Sequence, residues 1–193
     1  MTTSSSTAHD LVQVRVDDPG RVVRMAAERR RPEGLRGSTG RLMLVAADHP
    51  ARGALRAGDA PLAMADRCEL LDRLATALAR PGVDGVLGTP DVVEDLLLMG
   101  ALDGKVVIGS MNRGGLAGTS FEIDDRFTAY DAAAISSAGF QGGKMLLRID
   151  PEDPATAPTL EACARAVGDL ADHHRREEGE TEDASCLEQG RIE

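Results

Sequence analysis

The chain has 193 residues, enough for one domain or slightly more. Apolar residues make up 42 % but aromatics only 2 %, so Leu, Val, Ala and Met must fill the core, and stacking on nucleic-acid bases is poorly supported. A formal charge of −10 argues further against nucleic acid, although it leaves room for a local basic pocket for a small phosphate.

Residues 1–13 open Ser/Thr-rich and are expected to be disordered. Residues 14–40 form a helix and linker: arginines alternate with Val and Ala from Val14 to Arg31, which predicts a short helix from Pro19 onward. The Arg29-Arg30-Arg31 run is expected to be the solvated end of that helix.

From residue 41 the character changes. RLMLVAADHP is an apolar run ending in polar residues, as a strand buried on both faces requires. A helix follows from about Leu62 to Arg80, with apolar positions at Leu62, Leu70, Leu71, Leu74 and Leu78, and Pro81-Gly82 ends it. VDGVLGT (83–89) is a second strand, DVVEDLLLMGAL (91–102) a second helix and KVVIGS (105–110) a third strand. A Gly-rich loop, MNRGGLAGTS, leads to a helix around Asp131–Ala138; GGKMLLRID (142–150) is the fourth strand and APTLEACARAVGDLAD (157–172) its helix. The loop has neither GxGxxG nor GxxxxGK spacing, so it is either a mobile cover or a plain connection.

Four βα units in succession predict a parallel α/β sheet covered by helices over residues 41–172. Periodicity does not separate an open doubly wound sheet from part of a barrel, but both gather ligands at the carboxyl ends of their strands. The polar residues expected there are Asp48 and His49, Thr89, then Ser110, Asn112 and Arg113, then Arg148 and Asp150. Lys144 lies earlier in its strand and should project inward, on the same face as Leu146 and Arg148.

An inward lysine is costly unless it is paired or its pKa falls. Lys144 can form a Schiff base, pair with Asp48 to orient substrate or relay a proton, or simply bridge two strands. His49, Ser110, Asn112, Arg113 and Arg148 are the candidate substrate-binding residues around this pair. No His, Cys and carboxylate cluster has ligand spacing, so neither a metal nor another cofactor is expected. Cys68, Cys163 and Cys186 are widely spaced without a CxxC pair, as in reduced thiols of a cytoplasmic protein. No apolar run approaches the roughly 18 residues of a membrane span.

LMLVAADHPARGAL resembles the first strand of class I aldolases of the deoxyribose-phosphate and tagatose-bisphosphate type, which read an Asp, a polar residue and then Arg-Gly-Ala-Leu. Here Pro50-Ala51 separates His49 from Arg52-Gly53-Ala54-Leu55. The span from about 41 to 171 resembles an actinobacterial group of (β/α)8 aldolase-like proteins associated with inositol catabolism. ADHPARGAL, GVDGVLGT, IGSMNRGGLAG and GGKMLLRIDPEDP carry the likeness. It implies aldol chemistry on a small sugar or inositol-derived substrate, with Asp48 as an active-site acid and Lys144 as an inward active-site lysine. It also implies that the Schiff-base lysine of such enzymes lies on strand six and their phosphate site after strands seven and eight. The alternative is a non-catalytic fragment that binds a sugar phosphate or a partner.

Four βα units make half of a (β/α)8 barrel, which usually takes about 250 residues. The expectation is therefore a truncated or frame-shifted product whose exposed strand edges favour a homo-oligomer. Residues 172–193 hold eight acids against three arginines, and 173–193 are expected to form a disordered acidic tail.

Overall fold

A computed structural model of the chain describes residues 10–35, 40–112 and 127–189. Four parallel strands form one sheet in the order β1-β2-β3-β4: β1 is Leu44–Ala47, β2 Gly85–Gly88, β3 Val106–Ser110 and β4 Gly142–Lys144. The α/β reading and all four strand positions hold, although each strand is shorter than its apolar run.

β4 is the clearest correction. It ends at Lys144, so Met145 to Asp150 are not strand and Lys144, Leu146 and Arg148 do not share a strand face. Lys144 terminates its strand instead of lying early within it.

Among the described residues, six α-helices accompany the sheet. α1 (Leu11–Asp17) and α2 (Arg21–Glu28) replace the single helix expected from Pro19, and α1 begins inside the stretch expected to be disordered. α3 spans Arg67–Leu78, α4 Pro90–Leu98, α5 Ala132–Ser137 and α6 Thr156–Gln189. α6 continues past residue 172 into the stretch expected to be an acidic tail. The first turns show why the helices start where they do. Asp66 accepts from the Glu69 amide at 2.9 Å and Asp131 from the Ala134 amide at 2.7 Å, while Pro90 occupies the first turn of α4, where its missing N–H costs nothing.

The register determines which residues face the helices. Ala47 pairs with Gly88, Gly88 with Gly109, and Gly109 with Gly143, a layer that is glycine in three of its four strands. A Cβ on Gly109 would meet the Tyr130 ring at 2.7 Å, and one on Gly88 would meet Val93 at 3.0 Å, so this layer faces the helices at very close approach. Val86 and Val107, two residues earlier on the same face, are completely buried. Leu70, Leu71, Leu74 and Leu78 of α3 are buried, as their spacing predicts, while Leu62 is exposed and precedes the helix. α4 is apolar nearly all round because it lies between the sheet and α2.

The opposite face of the sheet carries Ala46, Leu87, Ile108 and Gly142, which are half-buried or exposed. Among the described residues, then, helices cover one face of the sheet and leave the other partly open.

The arginine run is not a solvated helix end throughout. Arg29 donates to Lys105 O at 3.0 Å and Gly139 O at 2.7 Å and lies over the Phe140 ring, 5.7 Å from its centre. It ties the end of α2 to the segments entering β3 and β4. Burial, followed by the neighbouring Arg31, lowers its pKa from the usual guanidinium value.

Candidate active site

The residue after each glycine-layer position points to the open face. These are Asp48, Thr89, Ser110 and Lys144: one acid, two hydroxyls and one lysine, one from each strand end. Ser110 and Lys144 are register partners.

Lys144 Nζ donates to Asp48 Oδ2 at 2.6 Å. These residues belong to the two outer strands of the sheet. In a flat sheet, outer strands three steps apart lie about 14 Å from each other, so the contact requires the sheet to curl around its open face. The Asp48 side chain is 6 % exposed and that of Lys144 24 %. His49 Nδ1 lies 3.6 Å from the other Asp48 oxygen, Oδ1. Burial pushes the Asp48 carboxyl up, but the hydrogen bond and charge of Lys144, helped by His49 and Arg52, outweigh it and hold the pKa below the ordinary carboxylate value.

A cavity of about 220 Å³ opens here, lined by Asp48, Arg52, Thr89, Asp91, Ser110 and Asn112 together with Ala51, Pro90, Thr128 and Ala129. Asp91 is held by Arg67 at 2.6 Å and accepts the Thr89 hydroxyl at 2.6 Å; burial raises its pKa, but these two partners bring it below the usual range. Arg67 also grips Asp95 at 2.6 Å, and Arg15 of α1 reaches the same carboxylate at 2.7 Å. The buried Asp95 is thereby compensated from two sides.

Asn112 lines the cavity, where it is expected to bind substrate, and its amide also holds the chain after β4. Nδ2 donates to Leu146 O and Oδ1 accepts from Leu146 N, each at 2.8 Å. This pair keeps the register of β3 and β4, so it holds the segment just beyond Lys144 alongside the end of β3 and leaves one N–H and further acceptor capacity for a ligand. Arg148 lies four residues past β4 and is not part of the cavity lining. Arg113 falls outside the described residues. Among those residues, no three His, Cys, Asp or Glu side chains group to hold a metal ion.

Arg52 is the site residue that residue-by-residue reading missed. The signal was present as His49-Pro50-Ala51-Arg52-Gly53: Pro50 starts a 3-10 turn over Pro50–Arg52, and Gly53 ends it in the left-handed conformation at φ 73°.

A family model described as Cgl0159-like matches residues 40–178. The chain belongs to the Cgl0159-like family. The crystal structure of Cgl0159 from Corynebacterium glutamicum is 51 % identical to it with a TM-score of 0.83, over 89 % of this chain and 58 % of that one. This Cgl0159-like chain therefore spans little more than half the length of that neighbour. No curated protein matches it. The matched family region begins before β1 and ends within α6, so the whole sheet and the Asp48–Lys144 pair fall inside it. No described helix is long and apolar enough to cross a membrane.

Proposed function

We propose that this chain is the first half of a (β/α)8 barrel of aldolase type, and that Asp48 and Lys144 manage proton transfer in aldol cleavage or condensation of a small sugar or inositol-derived substrate, phosphorylated or not. The observation that carries this reading is the 2.6 Å contact between the ends of the two outer strands, on the open side of the sheet.

Strand order supports the barrel part. An open doubly wound sheet reverses its order at a switch point and takes helices on both faces, whereas a run of 1-2-3-4 with one open face is what a barrel segment requires. β1 and β4 each pair on one side only among the described strands, which favours a homo-oligomer in solution.

Chemically, Lys144 is engaged as a hydrogen-bond donor to a buried carboxylate, a position better suited to donating or relaying a proton than to attacking a carbonyl. In cleavage, Asp48 accepts the proton of the substrate hydroxyl as the adjacent carbon–carbon bond breaks and its electron pair moves toward the carbonyl carbon. Lys144 returns a proton to the resulting enolic fragment. The resemblance assigns iminium formation to a strand-six lysine, beyond the four strands present.

Cleavage assays on a panel of ketose and deoxy-aldose phosphates and their free sugars test the reading. Asp48→Asn and Lys144→Met should each reduce turnover by at least ~100-fold. A borohydride-trapped adduct on Lys144 would instead make it the nucleophile. The alternative reading is a sugar-phosphate binder without catalysis. Thermal stabilisation by the panel without turnover supports that one.

A further inference from the structure

Three cationic side chains lie in or beside the cavity, and two are already engaged. Lys144 is paired with Asp48, and Arg67 with Asp91 and Asp95. Arg52 is different. Its Nε is buried without a hydrogen-bond acceptor, and among the described residues its guanidinium forms no ion pair. Asp48 lies close enough for its charge to be felt by Arg52, but among the described residues it makes no hydrogen bond or ion pair with it; its contacts are with Lys144 and His49.

The position of Arg52 is fixed by the turn that carries it. The Arg52 and Ala54 amides both donate to His49 O, at 3.0 and 3.1 Å, and the Gly53 amide donates to Pro50 O at 3.0 Å. Arg52 lines the cavity wall with its Nε closed off by protein atoms and with no ion pair among the described residues, and arginine's fork suits carboxylate and phosphate alike. The hydroxyls of Thr89, Ser110 and Thr128 on the same wall can add hydrogen bonds to such a group.

We propose that Arg52 binds an oxyanion group, a phosphate or a carboxylate, carried by the substrate on which Asp48 and Lys144 act. The proposal rests on the proton-transfer reading of that pair and adds the charge class of the ligand and the residue that selects it. It places the anion beside the end of β1.

Calorimetric titration with three probes of one carbon skeleton tests it: glycerol 3-phosphate, glycerate and neutral glycerol, against the wild-type chain, Arg52→Gln, Arg52→Lys and Lys144→Met. At least one anion should bind the wild type and glycerol should not. Arg52→Gln should weaken that anion by tenfold or more, and Arg52→Lys should recover part of the loss. Preference for glycerol 3-phosphate assigns phosphate, and preference for glycerate assigns carboxylate. Equal anion affinity in wild type and Arg52→Gln overturns the proposal, as does equal binding of glycerol or no anion binding to the wild type. Circular dichroism of each variant separates lost binding from lost folding, and Arg52→Lys carries the test if Arg52→Gln unfolds. Loss of turnover in Lys144→Met with anion binding kept supports both readings. Anion binding through Arg52 without turnover in the wild type removes the proton-transfer reading alone.

Discussion

Lys144 and Asp48 touch at 2.6 Å although β4 and β1 are the two outer strands of a four-strand sheet. Removing one member leaves the other's charge without its partner. Lys144→Met should cost about 3 kcal/mol, because it strands a buried carboxylate. Adding Asp48→Asn should recover part of that loss. Urea unfolding of both single variants and the double variant gives the coupling energy; strictly additive costs would mean the pair is not coupled.

The same pair makes stability depend on acid. The Asp48 carboxyl is held below its ordinary value in the folded chain, so its contribution is complete above the unfolded carboxylate value and disappears as pH falls through the folded one. Asp91 behaves in the same sense. Denaturation midpoints followed from pH 7 downward should therefore decline below the ordinary carboxylate range, and Asp48→Asn should flatten that decline only in part.

Gly109 is in the layer that faces the helices, where an added Cβ would meet the Tyr130 ring at 2.7 Å and Ile135 at 3.4 Å. Tyr130 is itself fixed edge-on to Phe140, their ring centres 5.4 Å apart. Gly109→Ala should destabilise the fold by about 1–3 kcal/mol through overpacking, read as a lowered thermal midpoint. An unchanged midpoint would mean that the ring yields freely.

Asn112 exchanges two hydrogen bonds with Leu146 and thereby sets the course of the chain after Lys144. Asn112→Ala should cost about 1–3 kcal/mol, and Asn112→Asp should not restore it, since a carboxylate has no donor for the Leu146 carbonyl. Chemical denaturation of the two variants makes the comparison. Full stability in Asn112→Asp would show that only the amide of Leu146 requires a partner.

Arg29 joins α2 to the segments before β3 and β4 through two carbonyls and the Phe140 ring. Arg29→Ala should cost about 2 kcal/mol and speed amide exchange in α1 and α2 more than in the sheet. Uniform exchange across the chain would contradict an anchoring role.

The polar residue closing each apolar run was legible from the break in the run, and Asp48, Thr89 and Ser110 are all buried at the strand ends. The end of β4 was not legible. GGKMLLRID has the apolar run of a longer strand, but after Lys144 Leu146 bonds to the Asn112 side chain, thirty-four residues away, in place of a backbone ladder. Arg29 was misread for a related reason: local pattern marks a charged helix end but does not reveal an aromatic ring and two carbonyls brought to it from distant segments.

By itself the sequence determined the alternation of strand and helix, the amphipathic stripe of α3, and the candidate acid and lysine. All of these depend on neighbours a few residues apart. Tertiary structure decided that Asp48 and Lys144 meet, that Asn112 pairs with Leu146 and that Arg52 Nε has no acceptor among the described residues. Those facts depend on curvature and on contacts between segments far apart in the chain, which no local spacing encodes.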